Sequence, residues 1–411
     1  MRHNHLLPKV LLGGLLLTAC VDSSYDLDDI DLTLSTNADL ALPLINTSNI
    51  KLVDFVLPSD FLNTTTIPGQ DGMVLYASVA TDKEKPTIIQ MTTLKNGDLS
   101  ETEYSLPNAP DITVPDMPDF LQGEDVCLDL KNPVIFADIE GRNLPDGCTI
   151  FADIEISNPD AGTKCVIKNL PAQKSKKSYY IAENEENPGN FPDEIKKERY
   201  NTPVFKRVSD GTTVNGLFSK KIPKLLKVEI KRLYVQGITG TLPITGDYEI
   251  SVIFSLYAPM CIGSTNFRLS YDATETGWQE EFDEDIRKMD VDLVTIKANL
   301  FNNLPLTADV ILKPIDPEGN EVKGLTILEA TNRAAGSTTP IEYTLRSSDP
   351  QFKIRDFLSG SNGAQQLDGV KIYTKLKANA QSVGKYVTDK ASVRFTDLEL
   401  RAKGNFSYDA N

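Results

Sequence analysis

The chain has two histidines, His3 and His5, and no imidazole anywhere after them. Over that long remainder, Ser-His-Asp and Cys-His arrangements are excluded, because each uses imidazole as its base. Histidine-ligated zinc, copper or iron is excluded on the same ground. The usual proton switch near neutral pH is missing too. Hydrolysis by a carboxylate pair survives, since it needs only Asp and Glu. The five cysteines include no pair at CxxC spacing, which argues against a dithiol redox motif or a thiolate metal knuckle. No GxGxxG, P-loop, HExxH or GxSxG stands in a convincing context. Basic residues are few beside acidic ones, 42 against 58, for a net charge of -16. Such a chain repels nucleic acid and anionic lipid, so neither is an expected direct partner. No apolar run approaches the roughly 20 residues that cross a bilayer as a helix. No cofactor, metal or catalytic set is therefore expected, and the chain reads as a non-enzyme.

What is present begins at the N-terminus. No acid precedes Asp22, Arg2 and Lys9 are basic, and an apolar stretch runs from Val10 to Leu17. Thr18 and Ala19 are small, and Cys20 follows. A basic start, a short apolar run and a small-residue site make a secretory signal rather than a structural helix. Leu17-Thr18-Ala19-Cys20 resembles the lipobox of bacterial lipoproteins. That resemblance implies cleavage between Ala19 and Cys20, with lipid on the Cys20 sulfur and an acylated new amino group. Several acyl chains anchor stably where one would be marginal. Residues 1–19 are thus expected to be a signal peptide, and both histidines leave with it. An ordinary signal peptide with a chance cysteine is the alternative.

Behind Cys20 lie Asp22, Asp26, Asp28, Asp29 and Asp31 with no basic residue among them. Residues 20–35 read as a solvated, flexible, acidic tether. They also resemble the acidic patch behind the lipidated cysteine of Bacteroidetes surface lipoproteins. The resemblance implies export to the outer face of the outer membrane, with Ser23, Ser24 and Tyr25 interrupting the match. The spacing lacks the glycine and distal Glu of an EF-hand loop, so no calcium site is assigned.

Period-two alternation dominates the rest. Leu226, Val228 and Ile230 alternate with Lys227, Glu229 and Lys231. Val370, Ile372, Thr374, Leu376 and Ala378 alternate with Lys371, Tyr373, Lys375 and Lys377. Strands of this kind bury one face and wet the other. Pro317 to Asn320, Asn96 to Asp98 and Ser209 to Gly211 read as turns. The best helical stretch is Gly277 to Met289, with Trp278, Phe282 and Ile286 at four-residue spacing. The fold class is all-β, with tandem antiparallel β-sandwich domains. A Leu-Pro element recurs at Leu144-Pro145, Leu242-Pro243 and Leu304-Pro305, each between strand-like runs. Proline cannot donate to a ladder, so each copy reads as a corner between strands. The copy spanning Leu293 to Lys323, with its Asn302 to Pro305 corner and Asp316 to Asn320 turn, resembles uncharacterised Bacteroidetes lipoproteins. It is more distantly similar to the water-stress type of late-embryogenesis protein, a small β-sandwich. Neither resemblance brings a catalytic motif.

Leu106 to Pro118 holds four prolines and reads as a linker. Gln173 to Asp210 is polar and reads as a long surface excursion or hairpin extension. The expected divisions are an N-terminal β region over 36–115, a middle β-sandwich over 116–220 and a C-terminal β-sandwich region over 221–411. Cys127, Cys148, Cys165 and Cys261 are read either as buried free thiols or as a source of disulfides. Trp278, Tyr179 and Tyr180 are candidates for stacking on a sugar, against core or edge packing. Glu280, Glu281, Asp283, Glu284 and Asp285 beside Trp278 could serve a glycosidase, but a solvated acidic face explains them better. The basic run Lys174 to Tyr180 is read as a solvated loop rather than a site for an anionic partner.

The function expected is a lipid-anchored, non-catalytic lipoprotein of the outer membrane and cell surface, acting as a binding or structural module. Two alternatives stand beside it: a glycan-binding lipoprotein of a nutrient-uptake complex, and a fimbrial subunit or anchor. Expected partners are the membrane, through lipid on Cys20, and a glycan or envelope proteins. The glycan alternative predicts exposed aromatics clustered on one sandwich.

Overall fold

The computed structural model describes residues 33–43, 50–51, 62–80, 86–107, 111–114, 121, 125–240, 243–281, 290–329 and 337–409. They form four sheets arranged as two sandwiches. The alternation is the cause: in Thr149–Asn158, Ile150, Ala152, Ile154 and Ile156 are buried while the residues between them reach solvent. An element with one apolar face must bury it against another such face.

In the first sandwich, one sheet of five strands runs Thr163–Ala172, Thr149–Asn158, Leu225–Gln236 and Gly97–Leu99, with Ile112–Thr113 also on Leu225–Gln236. The opposing eight-stranded sheet centres on Val134–Arg142 and Ile244–Pro259. Lys177–Ala182 and Val204–Arg207 extend it on one side, and Val74–Ala80 and Thr87–Leu94 both pair with Ile244–Pro259. In the second sandwich, six strands include Thr33–Pro43, Ser392–Asp409, Asp290–Asn302, Ser337–Ser347 and Leu325–Glu329 in that order. Three strands, Arg268–Glu275, Gly369–Lys377 and Thr307–Ile315, make the opposing sheet. The Tyr343 hydroxyl donates to the Val310 carbonyl at 3.2 Å and ties the two layers.

The expected divisions near 115 and 220 cut through these sheets. Leu99 pairs with Leu233, and Ile89 pairs with Ile250. The first described strand, Thr33–Pro43, pairs with the last, Ser392–Asp409, over its whole length, Thr33 opposite Asp409 and Pro43 opposite Glu399. Strands from Leu62–Thr65 to Ile244–Pro259 pair within the first two sheets, and those from Arg268–Glu275 onward pair within the other two. The second sandwich takes its edge from the N-terminal strand, so it is discontinuous in sequence. Thr33 to Ser35, placed in the tether by sequence, already belong to that strand. One buried core runs through both sandwiches.

Each Leu-Pro corner switches the chain from one sheet to the opposing one. Val134–Arg142 passes through Leu144-Pro145 to Thr149–Asn158, and Asp290–Asn302 passes through Leu304-Pro305 to Thr307–Ile315. Leu225–Gln236 makes the same switch to Ile244–Pro259 around position 243. Leu144 and Leu304 are buried, each plugging the sandwich where the chain crosses. In the second sandwich Asn302 locks the corner, accepting from Leu304 N at 3.0 Å and donating to Leu306 O at 2.8 Å.

The polar excursion is not a hairpin. Lys177–Ala182 and Val204–Arg207 run parallel, joined by a crossover that includes the helix Asp193–Lys197. Its Phe191 and Ile195 pack on Phe136, Tyr180 and Tyr257, covering the outer face of the eight-stranded sheet. Val134–Arg142 is therefore buried on both faces. Of the helix expected over Gly277 to Met289, Trp278–Glu281 is helical and 282–289 lie outside the described residues. No helix among the described residues is long and apolar enough to cross a membrane.

Candidate functional site

Phe151 and Tyr234 break the strand pattern that surrounds them. Phe151 stands at an outward position between buried Ile150 and Ala152, and Tyr234 at one between buried Leu233 and Val235. Both are half-exposed on the outer face of the five-stranded sheet. Register sets them directly opposite each other, with ring centroids 6.4 Å apart and planes 39° apart. Pro171 pairs with Phe151 on the far side, and Asp98 pairs with Tyr234. Pro171, Phe151, Tyr234 and Asp98 thus form one row across four strands.

Polar groups flank the row on both sides. On one side Thr149 lies opposite Gln236, and Gln173 Nε2 donates to Thr149 Oγ1 at 3.0 Å. On the other side Asp153 lies opposite Arg232. Arg232 Nε donates to Asp98 Oδ1 at 2.5 Å, and its guanidinium sits 5.0 Å from the Tyr234 ring centroid. Asp98 holds the Arg232 guanidinium above its ordinary range. The register slips at Asp153 on both neighbouring strands, and Asp153 Oδ1 accepts from Asn169 N at 2.7 Å there. Asn169 has φ of 53°, so this bulge is held open by a side-chain bond. Several charges on this face are paired: Lys164 with Glu155 at 2.8 Å, and Lys231 with Glu155 and Glu229.

A second concavity lies where the sandwiches meet. The segment 384–389, between two strands of the second sandwich, is bound to the first: Val387 O accepts from Leu75 N at 3.0 Å, and Lys385 O accepts from Ile262 N at 2.9 Å. Beside it opens a cleft of about 580 Å³ lined by groups such as Gln70, Asn379, Gln381 and Tyr386. Many of its polar side chains are already committed to the fold. Asn303 donates to Lys390 O and accepts from Ser392 N, while Lys390 pairs with Asp71.

Of the candidates for stacking on a sugar, set against core or edge packing, Tyr179 and Tyr180 are buried, 5% and 1% exposed. Tyr179 joins the main core, and Tyr180 is held by its hydroxyl bond to Glu186 O and by Phe191 and Phe205. Neither offers a ring to a ligand. Trp278 is half-buried against the core, its backbone N donating to Asp368 O at 2.9 Å. In the Lys174 to Tyr180 run, 174–176 link two strands and Lys177 begins the second; Lys174 pairs with Asp146 at 2.9 Å, Lys176 with Glu140 at 3.3 Å, and Lys177 donates to Gln173 Oε1 at 2.9 Å. Phe151 and Tyr234 were missed, though the sequence signals them as aromatics at wet positions. Ala19, Cys20, Asp22, Asp26, Asp28, Asp29 and Asp31 lie outside the described residues, as do Asp283, Glu284 and Asp285.

The four later cysteines are free and buried. Burial pushes the Cys165 thiol up to about 12, with the Glu183 charge adding to it. Cys127 donates to Ser219 O at 2.6 Å. Among the described residues no cluster of three His, Cys, Asp or Glu side chains could hold a metal ion.

No protein-family model matches the chain, and no curated protein matches it. Among solved structures, it is similar to a protein of Parabacteroides distasonis described as secreted, with a TM-score of 0.52 and 13% identity, over 89% of this chain and 100% of that one. A tandem CBM22 pair from Paenibacillus barcinonensis Xyn10C aligns over 89% of this chain and 99% of its own, at 9% identity. Its TM-score of 0.18 supports no structural argument. The likeness to the Parabacteroides protein shows the fold: an all-β chain of antiparallel sheets shared over nearly the full length of both.

Proposed function

We propose that the chain is a lipid-anchored, non-catalytic lipoprotein of the outer membrane that displays two β-sandwiches as a binding module on the cell surface. The pairing of Thr33 with Asp409 supports this most directly. It fixes the point at which the N-terminal segment enters the fold, at one end of the second sandwich. Twelve residues separate Cys20 from that point, a reach of about 40 Å when extended. A tether of that length leaves the first sandwich clear of the bilayer. The acidic tether and the net charge of -16 keep the protein off an anionic surface, so the lipid would supply the attachment.

Protease shaving and antibody labelling of intact cells test the reading, with Cys20→Ala as the comparison. Surface labelling that depends on Cys20 is the expected result. Protection until the outer membrane is opened would overturn surface display. Release that is unchanged by Cys20→Ala would overturn lipidation. A glycan-binding role is favoured over a fimbrial one by the half-exposed Phe151–Tyr234 pair.

A further inference from the structure

We propose that the row formed by Pro171, Phe151 and Tyr234 is a binding platform for an uncharged polysaccharide chain. The proposal deepens the binding-module reading and rests on it, but it does not depend on the lipid anchor. Three features of the face point to this occupant.

The first is shape. Two aromatic rings and a proline ring lie in register across adjacent strands, so they present consecutive apolar surfaces along one line. Pyranose rings have apolar C–H faces that stack on aromatic rings, and a polymer offers several such faces in a row. Along its own strand Phe151 is followed on this face by Asp153, Glu155 and Ser157, so the apolar surface is confined to the row itself.

The second is the rim. Sugars carry hydroxyls around their edges, and these need donors and acceptors beside the apolar platform. Thr149, Gln173 and Gln236 supply amide and hydroxyl groups on one side, with Arg232 on the other and Asp98 at the end of the row. Arg232 and Asp98 hold each other in place, so their free lone pairs and N–H groups are already oriented.

The third is charge. The chain as a whole is strongly acidic, which disfavours an anionic glycan. On this face Lys164, Lys231 and Arg232 each have a carboxylate partner, and the acidic groups Asp98, Asp153, Glu155 and Glu229 stand among the cations. A locally balanced surface on an acidic protein complements a neutral ligand.

Affinity electrophoresis of the full chain, through gels containing a β-glucan, a xylan, a mannan or a starch, tests the proposal. Polygalacturonate and heparin serve as acidic comparisons. Retardation by at least one neutral polymer is expected. Phe151→Ala and Tyr234→Ala should each weaken it about tenfold, the worth of a stacked ring. Tyr234→Phe should stay within about threefold, because the ring remains. A Cys20→Ala chain should bind as well as the parent, which separates this platform from the anchor. Thermal unfolding of each variant shows that the sandwich is intact. Failure to bind any neutral polymer, binding to the acidic polymers alone, or retardation unchanged in the Phe151→Ala/Tyr234→Ala double variant would each overturn the proposal.

Discussion

Arg199 and Asp138 show how much one residue can hold. Arg199 lies at the end of the crossover that covers the eight-stranded sheet, 2% exposed, and its guanidinium reaches Asp138 Oδ2 at 2.5 Å. Ser178 Oγ donates to the other carboxylate oxygen, and the Arg199 guanidinium stacks 4.5 Å from the Phe136 centroid. Removing one member of a buried pair strands the other charge. Arg199→Met is expected to cost about 3–5 kcal/mol, read from urea unfolding. A loss near zero would mean that the crossover lifts away in solution. Glu183 works in the opposite sense. Burial, and then the Asp129 charge, raise its carboxyl above the ordinary glutamate value, against hydrogen bonds from Asn215 and Thr213. A raised folded value favours the protonated form. Its stabilising contribution is complete below the unfolded glutamate value and is lost as pH rises through the folded one. Glu183→Gln should therefore be more stable than the parent at pH 7, with the gap closing as pH falls below the glutamate range. Single residues were unevenly legible in the sequence. Tyr179 and Tyr180 were read as stacking candidates against core or edge packing, and the crossover and the core cover them. Phe151 and Tyr234 could have been found by asking which apolar residues fall on the wet phase of an alternating strand.

At the scale of elements, the corners were readable and their destination was not. Leu, Pro and a flanking Asn mark a break between strands, because proline ends a ladder. Nothing local says that the next strand joins the opposite sheet. Two of these corners touch: Gly147 and Gly237 approach so closely that a Cβ on Gly237 would collide with the Gly147 carbonyl. Gly237 also has φ of 86°. Gly237→Ala is expected to destabilise the first sandwich by about 1–3 kcal/mol, while Gly97→Ala, with no neighbour near its Cβ, should show only the cost of its positive φ. Comparing the two by thermal unfolding separates crowding from backbone strain. Leu304→Ala, which empties the plug of the other sandwich, should cost about 2–5 kcal/mol.

For the whole molecule, composition and alternation sufficed for the all-β class. The boundaries were misplaced because sandwich strands pair across long stretches of chain, and a proline-rich segment near 115 resembles a linker while lying between strands of one sandwich. The continuous core predicts that the sandwiches do not melt independently. A single calorimetric transition is expected, and two resolved transitions would show that the clasp at 384–389 is weaker than its hydrogen bonds suggest. Cys127, Cys148, Cys165 and Cys261 report on the same cooperativity. They should resist alkylation in the native protein and react together once it unfolds.

The union of Thr33–Pro43 with Ser392–Asp409 also sets a clock on biogenesis. The second sandwich cannot close its six-stranded sheet until the last strand has left the ribosome. Until then its N-terminal strand must wait without its partner, while residues 62–263 can already find theirs. The order of synthesis and the order of folding are thereby decoupled, and the last strand completes the second sandwich.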